Sequence, residues 1–81
     1  MPARPKEGLT VTVGRNVKRI RERCGMSQVA LAAAIEAHQG TISAIESGDR
    51  GTSMLMLKKI ADALGVPATS LFKEPKGKEI A

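Results

Sequence analysis

The sequence predicts an all-α chain folded as a compact five-helix bundle. Three observations predict it. Apolar residues recur at helical spacing: Val13, Val17, Ile20 and Cys24 fall at i, i+4, i+7 and i+11, one face of a helix. Stop and start signals divide the chain: Gly25, Gly48 and Gly65 follow apolar-periodic runs, and Ser27 and Ser53 precede the next ones. Hydrophobic content is 42% with a single aromatic, Phe72, so aliphatic side chains must build the core. A chain of 81 residues is expected to be one domain. It buries about two thirds or less of its unfolded surface, so that core must be efficient.

The elements follow in order. Residues 1–8 hold two prolines, a glycine and three charges, and read as a flexible basic arm. The first helix is expected from about Val13 to Cys24, with Thr12 or Thr10 as its N-cap. The alternating LTVTV before it has no convincing strand partner later in the chain. Ser27 caps a second, Ala-rich helix to about Ile35, burying Leu31 and Ile35. The third runs from about Gln39 to Ser47 with Ile42 and Ile45 inward. Ser53 caps a fourth through Leu64, with Leu57, Ile60, Ala61 and Leu64 as its stripe. Pro67 suits the first turn of a short fifth helix ending near Phe72. The folded domain thus spans 9–72, and 73–81 reads as a polar tail.

Composition excludes several functions. One Cys rules out an intramolecular disulfide, and with one His it cannot make a structural zinc site, so no cofactor is expected. The basic start is not followed by a long apolar run, and stretches such as VALAAAI fall far short of the roughly 20 residues of a membrane span. A cytoplasmic, nucleoid-associated protein is expected. Cys24 and His38 are the sole nucleophile–base candidates for an enzyme. Cys24 is expected on the buried stripe and His38 in a turn, so no productive pair is expected. One aromatic cannot form a stacking platform for single strands. A net charge of +5 suits a polyanion but equally suits simple solubility.

The stretch from Ser27 to Gly48 is the most specific feature. Two short helices meet at a tight turn, and a glutamine, Gln28 or Gln39, opens each. With Ile42 and Ile45 inward, the third helix presents Gln39, Gly40, Ser43, Ala44 and Ser47, with Thr41 to one side. None is bulky or acidic, whereas a solvent face ordinarily carries Lys and Glu. Such a face suits either base edges in a DNA major groove or a partner protein. A Gln39 amide can pair with adenine N6 and N7, and Ala44 can meet a thymine methyl. Gln28, at a helix N-terminus, can touch a phosphate and brace Gln39. Arg15 is the helix-one candidate for a phosphate, argued from a place near the helix start.

From Gly14 to Phe72 the chain resembles the phage repressor and Cro type of helix-turn-helix domain. The resemblance rests on Gly14, Val17 and Arg21; Gly25-Met26-Ser27-Gln28; Leu31-Ala32; Thr41-Ile42-Ser43; Ile45-Glu46 with Gly48; Leu57, Ile60-Ala61 and Leu64-Gly65-Val66; and Leu71-Phe72. It implies a DNA-binding regulator of transcription. It further implies a buried ion pair between Arg21 and Glu46, a phosphate contact at Gln28, and base reading by Gln39, Gly40 and Ala44 with Thr41 and Ser43 beside them. Ser47, Arg50 and Thr52 fall where the family touches the DNA backbone, as does Ser27 at the helix start. Three features depart from the pattern. Glu36 replaces a turn glycine, costing about 1 kcal/mol if its backbone is left-handed. His38 replaces the Ser or Thr that caps the recognition helix, and reads first as an ordinary exposed histidine, with poor capping or a phosphate contact as the alternatives. Gly40 and Ala44 offer no side-chain hydrogen bonds, which puts more weight on DNA shape and backbone contacts.

Two functions are therefore expected side by side. One is a homodimer on a palindromic double-stranded operator, with half-sites about 34 Å apart and a dimer contact from Val66, Leu71 and Phe72. Phage repressors, Cro-like proteins and controllers of restriction–modification systems all fit this description. The alternative is an antitoxin-like or co-regulator module that binds protein through the same fold.

Overall fold

A computed structural model of the chain describes residues 8–73. Apart from Gly8 and Lys73, the expected arm and tail lie outside the described residues. The first helix, α1 (Leu9–Arg23), begins four residues before the expected Val13. LTVTV is its first turn, although four of its five residues are β-branched. Burial outweighs that propensity: Val13 is in the core, and Val11 lies against Gly48. Thr10 and Thr12 are inside the helix rather than at its cap. Gly8 holds the N-cap position without a side-chain cap bond. At the other end Cys24 is the C-cap and is exposed, not part of the buried stripe. The stripe ends one turn earlier, at Ile20 and Arg21.

The next three helices are α2 (Gln28–Ala34), α3 (Gln39–Ser47) and α4 (Met54–Leu64). Ser27 Oγ accepts from Ala30 N at 3.0 Å and Ser53 Oγ from Met56 N at 3.1 Å, so both predicted serine caps form. The expected fifth helix is instead a single 3₁₀ turn over Ala68–Leu71, with Pro67 before it. The architecture among the described residues is thus four α-helices and a 3₁₀ turn, without a strand. Four residues suffice for one such turn, and a long-range clamp holds it. Buried Asn16 of α1 donates from Nδ2 to Leu71 O and to Lys73 O, each at 2.8 Å.

α1 packs on α3 and on the 3₁₀ turn, while α2 packs on α3 and α4. One core forms between them. Val17, Leu31, Ile42, Ile45, Ile60 and Leu71 are its fully buried large side chains. Every apolar position expected inside is buried except Cys24, and Phe72 is half-buried at the edge. No helix among the described residues is long and apolar enough to cross a membrane.

Candidate nucleic-acid interface

α2 leads through the turn 35–38 into α3 and packs against it, and three features hold α3 in place. The first is the closeness of α1. A Cβ on Gly14 would overlap Ile45 O and lie 2.9 Å from Glu46 O, so only glycine lets the two helices approach this far. The second is a buried ion pair. Arg21 donates from Nε to Glu46 Oε2 at 2.6 Å and from Nη2 to Glu46 Oε1 at 3.0 Å. Arg21 Nη1 donates to Met26 O at 2.7 Å, tying the α1–α2 junction to the same centre. The two side chains are 8% and 4% exposed, so the pair is shielded from solvent. Hydrogen bonding to Glu46 raises the Arg21 pKa above its ordinary value, against a smaller opposing effect of burial. The stability this adds is complete below the ordinary arginine value and fades only as pH rises past it.

The third feature reaches the surface. Gln28 donates from Nε2 to Glu46 Oε1 at 2.9 Å. Gln39 in turn donates from Nε2 to Gln28 Oε1 at 2.7 Å. One chain of hydrogen bonds therefore joins buried Arg21 to exposed Gln39. Both ends of the Gln28 amide are engaged inside the protein, which favours bracing over the phosphate contact expected of it.

The remaining candidates scatter more widely. Gly40 and Ser47 are exposed on α3, with Thr41, Ser43 and Ala44 half-buried. A Cβ on Gly40 would meet nothing within 4 Å, so the surface there is open. Exposed His38 stands at the α3 N-cap and makes no side-chain cap bond. Glu36 is left-handed at φ 59°, the sole non-glycine residue with positive φ among the described residues. Arg15 is exposed, but α1 starts at Leu9, so it lies in the second turn and the helix-start argument for it fails. Exposed Arg50 and half-buried Thr52 flank a small apolar groove with Leu9, Met54 and Phe72.

Leu71, expected at a dimer contact, is fully buried in the core and unavailable to a partner. Val66 and Phe72 remain half-buried. The sequence reading missed the exposed apolar residues Leu9, Met54 and Leu55. Leu55 was detectable, because it falls off the stripe of Leu57, Ile60 and Leu64. Asp49 was missed too: Ser47 Oγ lies 2.9 Å from its Oδ2, which puts an acid beside the end of α3.

A family profile described as helix-turn-helix matches residues 17–71. The chain belongs to the helix-turn-helix family. It is 33% identical over 67 residues to the control protein C.MunI of Mycoplasma sp, covering 82% of this chain and 90% of that protein. The restriction-modification controller protein C.AhdI from Aeromonas hydrophila superposes with a TM-score of 0.75 at 28% identity, over 78% of this chain and 96% of that one. A hypothetical transcription factor, NHTF, from Neisseria superposes at 0.82 with 28% identity, over 96% of this chain and 92% of the other. As a helix-turn-helix member the chain is a DNA-binding transcriptional regulator.

Proposed function

We propose that the protein binds a palindromic operator as a homodimer, laying α3 of each copy in the major groove. The observation that carries this is the 2.7 Å hydrogen bond from Gln39 to Gln28, which holds an exposed amide at the head of α3. Gln39 reads a base, Ala44 and the open backbone at Gly40 allow close approach, and Thr41 and Ser43 lie beside them. Ser27, His38, Ser47, Arg15, Arg50 and Thr52 flank this face as phosphate contacts. The dimer contact is assigned to Phe72 and Val66, with exposed Leu9 and Met54 in place of buried Leu71. The names of its relatives favour control of a restriction–modification system.

Selection of bound fragments from random duplex DNA tests the reading. A palindrome should emerge, and Gln39→Ala should flatten one position in each half-site while leaving the melting temperature in place. If about 6–10 phosphates are contacted, affinity falls by about 10³–10⁵-fold between about 50 and 200 mM salt. The exposed apolar side chains of Leu9 and Met54, which line one groove, favour a second reading, a protein-binding co-regulator or antitoxin-like module. A module of that kind selects no duplex even at low salt.

A further inference from the structure

The hydrogen-bond chain from Arg21 to Gln39 has a direction, and chemistry fixes it. Glu46 is ionised beside Arg21, and a carboxylate only accepts. The group facing its Oε1 from Gln28 must therefore be the NH2 end of the amide, as observed at 2.9 Å. A flipped Gln28 would bring two acceptors together. With its nitrogen inward, Gln28 shows its carbonyl oxygen to Gln39. Gln39 must then present nitrogen as well, which it does at 2.7 Å. One N–H and the carbonyl oxygen of Gln39 are left outward. That donor–acceptor pair complements adenine, with N7 accepting and N6 donating, and does not match the two acceptors of guanine.

We propose that Glu46 is a positioning residue for base choice: through Gln28, its carboxylate sets which way the Gln39 amide faces and thereby selects adenine. The proposal rests on the reading that α3 contacts bases. A side chain that merely supported the fold would change stability and overall affinity, not the preferred base at one position.

Gln28→Lys makes the sharpest variant. The lysine ammonium donates to Glu46 and keeps the ion pair intact, but it cannot accept from Gln39. Gln39 must then offer its oxygen to Lys Nζ, leaving both N–H groups outward, the complement of guanine N7 and O6. A second variant, Arg21→Met with Glu46→Gln, removes both buried charges together and so avoids stranding either one. Its amide at position 46 both donates and accepts, so neither orientation of the chain is favoured.

The test selects random duplex DNA with the parent, Gln39→Ala and these two variants, each checked by thermal melting. Gln39→Ala identifies the position that Gln39 reads. There the parent should prefer adenine by about tenfold or more. Gln28→Lys should exchange that preference for guanine, and the double variant should lower it by about tenfold. Adenine retained in Gln28→Lys, at a position that Gln39→Ala flattens, overturns the positioning role and leaves the base-reading proposal standing. No position flattened by Gln39→Ala overturns base reading by Gln39, and the positioning role falls with it.

Discussion

Helix α3, the proposed recognition helix, is held at two places of opposite quality, its seam with α1 and its turn from α2. At the seam, Gly14 admits two α3 carbonyls against the α1 backbone. Further along α1 the Arg21 guanidinium satisfies Glu46 and the Met26 carbonyl together. At the turn, the local chemistry is poor. α1, α3 and α4 each end on a left-handed glycine, Gly25, Gly48 or Gly65. Each has the same pair of closing bonds, such as Gly48 N to Ile45 O and Asp49 N to Ala44 O. α2 ends with that bonding too, from Glu36 N to Ala33 O and Ala37 N to Ala32 O, yet the left-handed residue is Glu36. His38 then leaves α3 without a side-chain cap. The difference teaches that long-range packing orients α3, and that the turn tolerates a local cost because the seam and core over-determine its path.

Substitutions at the seam should therefore destabilise, and substitutions at the turn should stabilise. Arg21→Ala is expected to have the largest effect, a loss of about 3–5 kcal/mol in denaturant unfolding, because it strands the buried Glu46 carboxylate. Gly14→Ala follows, at about 1–3 kcal/mol, since the new methyl overlaps the Ile45 carbonyl and must push α1 from α3. The turn reverses the sign. Glu36→Gly should raise stability by about 1 kcal/mol by removing the left-handed penalty, less any entropy returned to the unfolded chain. His38→Ser should add about 0.5 kcal/mol by supplying an N-cap acceptor, seen as a small rise in melting temperature. A turn substitution that destabilised as much as Gly14→Ala would show that the two places hold α3 equally.

Much of this contrast was visible beforehand. Ser27, Ser53 and the three terminal glycines marked helix ends, and the turn position of Glu36 raised the question of a left-handed backbone. The candidate reading face was legible from its lack of bulky and acidic side chains. Other features were not. Leu71 offered itself as a surface contact because its place near the domain's end said nothing of Asn16, 55 residues earlier, which binds its carbonyl. Cys24 fitted the period of α1 by spacing, but the helix closes at Arg23 and its last turn outruns the core.

The sequence by itself determined the places of α2, α3 and α4, the serine caps of α2 and α4, and the buried stripes apart from Cys24. Those depend on residues within a turn or two of one another, where spacing and cap chemistry act. Tertiary structure alone decided that LTVTV is helical, that the last element is a 3₁₀ turn, and that Arg21, Glu46, Gln28 and Gln39 form one directed chain of hydrogen bonds. Those outcomes join residues 11 to 57 positions apart. Contacts across such distances leave no period in a sequence, and they form only once the core has brought the helices together.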